Sequence, residues 1–182
     1  EDLRERIGDI VVGWKKDRKT PVTAREIGGV GSIMALLRDA IKPNLVQTAE
    51  GQPTIVHMGP FGNIAHGCSS ILADKLALHC GDYVVTEVGF GAALGFEKFM
   101  DIKVRQGGPE PSAAVVVTTI RGLKWHGGVA MKDMATPDPE AVRRGTGNLK
   151  NALNIVGMYG LPAVVAINRF PDDSPEEVAI AR

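Results

Sequence analysis

DYVVTEVGFGAALGFEK, residues 82–98, decides the fold, because a β-branched apolar run ends there in a carboxylate and then in closely spaced glycines. Tyr83, Val84, Val85 and Thr86 read as a strand buried on both faces, with Glu87 at its carboxyl end. Gly89, Gly91 and Gly95 then allow tight backbone on the way into a helix through Phe96, Phe99 and Ile102. In an open α/β sheet, ligands lie outside the carboxyl ends of the strands, so residues 87–95 are the first place to expect chemistry.

The same pattern recurs on either side. Residues 54–58 read as a strand feeding the loop GPFGNIAHG and a helix over 68–79; AAVVVTT (113–119) reads as a fully apolar strand ending in a loop RGLKWHGG (121–128); AVVAIN (163–168) runs into NRFPDD. Asp138 and Pro139 fit the cap and first position of a long helix to about Tyr159, and Ser174 with Glu177 has capping-box spacing. Thr23 with Glu26 repeats that spacing and predicts a helix burying Ile33, Met34, Leu36, Leu37 and Ile41, weakened by Gly28, Gly29 and Gly31 and ended by Pro43. Residues 10–14 and 44–48 read as short extended segments. Strands alternating with helices predict an α/β fold, with a largely parallel sheet and helices on both faces. Residues 1–50 are a helical and extended lead-in, 51–182 the α/β core, and both ends read as cut from something longer.

Composition narrows the partners. The chain has 182 residues, 44% of them hydrophobic, enough for one sizeable core. Lys plus Arg equals Asp plus Glu at 21 each, so no global field argues for nucleic acid or a membrane surface, and small molecules are the expected partners. No apolar run approaches the length of about 20 residues that spans a bilayer. Cys68 and Cys80 lack metal-ligand spacing and read as reduced core thiols of a cytoplasmic protein rather than a bridge.

Four strand-end loops are expected to converge on one edge: GPFGNIAHG, EVGFGAALG, RGLKWHGG and NRFPDD. Their glycines suit close backbone approach to a phosphate or a flat ring, or simply β-to-α packing. Phe61, Phe90, Trp125 and Phe170 lie outside the apolar runs, as the walls of a pocket for a flat heterocycle would. Arg121, Lys124 and His126 could receive anionic oxygens or form a solvated basic loop; Glu87 could hold a substrate amine or cap the next helix; His66 could touch ligand or satisfy backbone. Asn168 is placed to hydrogen-bond a purine edge or to fix its own turn. No residue is assigned to a metal, and no GxxxxGK[ST] phosphate loop occurs in the sequence.

The segments DAIKPNLVQTAEG, HMGPFGNIAHGCSS, DYVVTEVGFGAALGFEKF, TTIRGLKWHGGVA and LPAVVAINRFPDD make the chain resemble formate–tetrahydrofolate ligase, in that family's order and from residue 2 to the end. The resemblance implies a P-loop NTPase-like nucleotide-binding domain whose phosphate loop lies upstream, in a homotetramer that uses ATP with Mg and is activated by a monovalent cation such as potassium. It implies ligation of formate to tetrahydrofolate through formyl phosphate, giving 10-formyltetrahydrofolate, ADP and phosphate. This chain would be the central fragment, inactive alone; the competing reading is a non-catalytic α/β module that binds folate or nucleotide without turnover. By the same resemblance Phe90 and Gly95 line the pocket for the folate or purine ring, Phe170 and Pro171 close on that ring, and Asn168 and Glu87 lie near it. Departures are Ala93, where the family usually has an acidic residue, Met58 for glycine, Gly62 and Gly122 for alanine, and Ser69 for asparagine.

Overall fold

The charged opening DLRERIG winds into α1 (Asp2–Gly8), and the chain turns into a hairpin of β1 (Val11–Trp14) and β2 (Pro21–Thr23) before α2 (Val30–Ala40). The structure is a computed structural model describing residues 2–57 and 68–182, in two compact units, Glu1–Met58 and Gly59–Arg182. In the first unit Arg25 ties the helix to the hairpin, donating from Nη2 to Glu5 Oε2 at 2.8 Å and to Asp9 Oδ1 at 3.4 Å. Ile7 and Ala24 are buried there. A second hairpin follows, β3 (Asn44–Gln47) against β4 (Pro53–Val56), closed by a Thr48 hydroxyl that donates to Gln52 Oε1 at 2.9 Å.

The second unit carries the main core. α3 (Ile71–Cys80) starts at Ser70, whose hydroxyl accepts from the Ala73 amide at 3.0 Å. A π-helical stretch, Ala92–Phe96 and Phe99–Val104, precedes β5 (Ala114–Thr119) and α4 (Ile120–His126). α5 (Pro139–Met158) begins with Asp138 as cap and Pro139 in its first turn, and returns the chain to β6 (Ala163–Asn168) and α6 (Pro175–Ala181). β5 and β6 pair in parallel, from Ala114 against Ala163 to Thr119 against Asn168. Ile120, Leu123, Val142, Leu149 and Val178 form the core cluster, and Val116, Val165 and Ile167 of the strands pack onto it. Full burial of a side chain such as Ile120 contributes about 1.5–3 kcal/mol. α4 and α5 meet backbone to backbone: a β-carbon on Gly145 would fall on the carbonyl oxygen of Leu123.

Several expectations are corrected. Among the described residues, 83–86 join no ladder, and Tyr83 and Val85 are 94% and 96% exposed, so the expected buried strand is not formed. The strand in 54–58 pairs antiparallel with its immediate predecessor, since a short turn closes that hairpin locally. Among the described residues the sheets are three two-stranded pairs, one of them parallel, rather than one large parallel sheet. Among the described residues helices cover one face of the parallel pair; Val115, Val117 and Val164 on the other face are exposed, because α4, α5 and α6 all draw on the same core cluster. At Thr23 the capping-box bonds do form, Thr23 N to Glu26 Oε2 at 2.8 Å and Glu26 N to Thr23 Oγ1 at 3.3 Å, yet the glycines hold the helix off until Val30. Of its expected buried face, Leu36, Leu37 and Ile41 are exposed.

Candidate functional site

The carboxyl edge of β5 and β6 is where sequence-predicted site residues come together. Thr119 ends β5, and its hydroxyl accepts from the Gly122 amide at 2.8 Å, so the helix starts at once. RGLKWHGG is therefore largely helix, a correction to the expected loop. Because Thr119 and Asn168 are register partners, Arg121 and Phe170, each two residues further on, leave the sheet side by side. The Arg121 guanidinium carbon lies 4.3 Å from the centroid of the Phe170 ring, over its face. Arg121 Nη2 also donates to both Asp172 oxygens at 2.9 Å, which holds the Asp172 carboxyl below its usual range. The Phe170 amide donates to Asp173 Oδ2 at 2.8 Å, and Asp173 is itself buried. Asn168 and Pro171 are exposed at this edge.

Behind that edge lies a buried ion pair. Lys124 Nζ sits 3.1 Å from Glu177 Oε1 and donates to the Thr136 carbonyl at 3.2 Å, so this buried lysine ties α4 to α6 and to the segment before α5. Burial alone would push the Glu177 carboxyl up. The amides of Asp138 and Ser174, the Ser174 hydroxyl and Lys124 outweigh it and lower the pKa from 4.5 to about 2. One carboxylate thus caps α6 through Ser174, supports the α5 cap through the Asp138 amide, and neutralises α4. His126 is exposed, as is Trp125; Arg121, Gly122, Trp125, Met131 and Met134 line an open groove of about 330 Å3.

The glycine stretch is organised separately. Glu87 is exposed, and Phe90 is 73% exposed with φ of 69°, a left-handed conformation costly for an aromatic residue. Gly95 is buried, and a β-carbon there would fall on the carbonyl oxygen of Gly89, so the loop closes over the start of the π-helical stretch only because that side chain is absent. Phe96 meets Tyr159 edge to face at 5.4 Å, and the Tyr159 hydroxyl donates to Asp101 Oδ2 at 2.8 Å, a bond that raises the phenol's pKa. Tyr159 lies between α5 and β6, at the amino edge of the sheet, opposite Asn168. Phe90 makes no ring contact with Phe170 among the described residues.

Sequence reasoning missed the partners that fix these groups. Asp172, Asp173 and Glu177 stand in plain view in the FPDDSPEE run, but nothing in their spacing names Arg121, the Phe170 amide or Lys124 as their counterparts. It also missed a buried cluster in which Lys103 pairs with Asp74, lies 4.8 Å from the Phe99 centroid, and neighbours Cys68, whose thiol burial pushes up. Both cysteines are free, though Cys80 is exposed rather than core. Met58, Phe61, Gly62, His66 and the rest of GPFGNIAHG lie outside the described residues. Among the described residues no three His, Cys, Asp or Glu side chains cluster as metal ligands, and no helix is long and apolar enough to cross a membrane.

Comparison with known proteins brings the family in. The formate–tetrahydrofolate ligase family profile matches residues 1–182. A formate–tetrahydrofolate ligase of a Nocardioides species is 57% identical over 178 residues, covering 97% of this chain and 32% of the relative. That of a Sphingobium species is 53% identical over 182 residues, 100% of this chain and 32% of the relative. That of Symbiobacterium thermophilum is 54% identical over 182 residues, 100% of this chain and 33% of the relative. The chain spans about a third of the length of the curated relatives it matches. With more than half of its residues shared along its whole length, the chain belongs to the formate–tetrahydrofolate ligase family.

Proposed function

We propose that the full-length protein carrying this chain ligates formate to tetrahydrofolate with ATP, giving 10-formyltetrahydrofolate, ADP and phosphate through formyl phosphate. The observation that supports this reading is the family match over all 182 residues. Forming an acyl phosphate brings two anions together, and the work lies in positioning them and excluding water from the product. In this reading the chain supplies part of a P-loop-type nucleotide-binding domain of a cytoplasmic homotetramer, the phosphate loop coming from elsewhere in the polypeptide. Phe90 and Gly95 on one side and Phe170 and Pro171 on the other line the pocket for the folate or purine ring. Asn168 offers its amide to a ring edge, and Glu87 lies nearby. Magnesium accompanies ATP and a monovalent cation such as potassium activates the enzyme; among the described residues no three His, Cys, Asp or Glu side chains cluster as metal ligands.

The test is ADP release by the full-length protein, dependent on both formate and tetrahydrofolate, with and without potassium. Activity in that assay is the expected outcome; a folded, tetrameric protein that releases no ADP would overturn the reading. The 182-residue chain alone is expected to release none, having no phosphate-loop sequence of its own.

A further inference from the structure

The Arg121 guanidinium sits against a ring and a neighbouring carboxylate, with its side chain 43% exposed. Its carbon lies 4.3 Å from the Phe170 centroid, its Nη2 is held by both oxygens of Asp172 at 2.9 Å, and its Nε is buried without a hydrogen-bond partner. The Nε–H thus goes unpaired while the plane stays against the ring. On its other attachment, Phe170 is fixed through the backbone: its amide donates to Asp173 at 2.8 Å, and its carbonyl accepts from the Asp173 amide at 3.1 Å. A turn closed in both directions sets where the Phe170 Cα stands, but a phenyl side chain still has two torsions to fix. The Arg121 guanidinium over the ring face restricts them.

We infer that Arg121 is a positioning residue for Phe170: it covers one face of the ring, Asp172 tethers the guanidinium there, and the opposite face is left to stack on a flat heterocyclic substrate. The inference rests on the reading of Phe170 as a ring contact of the ligase. The parallel register is what makes it possible, since it delivers positions 121 and 170 together at the carboxyl edge. A lysine could supply the charge but not the flat cover. The polarity of the arrangement also matters, because a cation on one face and a tethering carboxylate leave the exposed ring surface itself uncharged.

The experiment is steady-state kinetics on the full-length enzyme bearing Phe170→Ala, Arg121→Ala, Arg121→Lys, Asp172→Asn and the Phe170→Ala/Arg121→Ala pair, with KM measured separately for tetrahydrofolate and ATP. Arg121→Ala is expected to raise KM for one of the two ring-bearing substrates about fivefold with kcat within about twofold, Arg121→Lys to recover part of that loss, and Asp172→Asn to show a smaller rise. In the Phe170→Ala background the Arg121 change is expected to add nothing further. An equal loss in both backgrounds, or an Arg121→Ala enzyme with unchanged KM while Phe170→Ala is impaired, overturns this inference and leaves the ligase reading standing. Unchanged KM values in Phe170→Ala itself overturn the ring contact, and the inference with it. If Arg121→Ala fails to fold, Arg121→Lys and Asp172→Asn carry the test by the same criteria.

Discussion

YVVTEV at 83–88 and AVVAIN at 163–168 are nearly interchangeable as sequence, yet only the second is a strand. Each is short, β-branched and followed by a loop with an aromatic residue. AVVAIN has six register partners in β5 and a helix-covered face, so one edge of its backbone is hydrogen-bonded and Val165 and Ile167 are packed. Among the described residues YVVTEV has no ladder partner, and Tyr83 and Val85 stand in solvent. β propensity describes a surface that fits a ladder; the ladder itself must come from elsewhere in the chain. The well-built region, residues 114–182, holds the buried Lys124–Glu177 pair; a second buried pair, Lys103 with Asp74, lies outside it.

The largest expected effect tests what holds that region together. Lys124→Ala leaves Glu177 charged and unpaired in the interior and should cost about 3–5 kcal/mol of unfolding free energy by chemical denaturation. Replacing both residues by apolar ones of similar size should recover much of it. A single variant as stable as the parent would mean the pair contributes only geometry.

Next in size is the pH dependence of the same carboxylate. The folded pKa of Glu177, about 2, lies below the ordinary 4.5, so its stabilisation is present in full above pH 4.5 and is lost as pH falls through about 2. The shift corresponds to roughly 3 kcal/mol. Glu177→Gln should flatten the acid limb of stability against pH between those values; an unchanged limb would assign acid sensitivity to other groups. A smaller loss, about 1–3 kcal/mol, is expected for Gly145→Ala, whose methyl group would push α4 from α5. Thermal unfolding reads that shift directly.

How much was legible follows from how local each signal is. The caps at Asp138 and Ser174, β5, β6 and the long α5 all carry their information within a few residues, and the structure holds them where the sequence puts them. RGLKWHGG was misread because its two terminal glycines signal a loop, while the cap that starts the helix is a threonine counted as the end of the strand. Phe170 was legible as an aromatic outside the core; Arg121 over its face was not, because that contact, like the Arg121–Asp172 pair 51 positions apart, depends on strand register. Whether a strand has a neighbour, and which carboxylate meets which lysine, are properties of the assembled sheet.

The smallest effect sharpens the opening contrast most. In the 182-residue chain, Val165→Ala should cost about 1–2 kcal/mol, since it removes methyl groups packed on the core, whereas Val85→Ala should be silent within about 0.5 kcal/mol, since its side chain is 96% exposed. Repeating both in the full-length protein separates two causes of the difference. If Val85→Ala stays silent there, residues 83–88 need no ladder in the full-length protein either. If it becomes as costly as Val165→Ala, the rest of the full-length protein provides the cover that the sequence of this stretch anticipates.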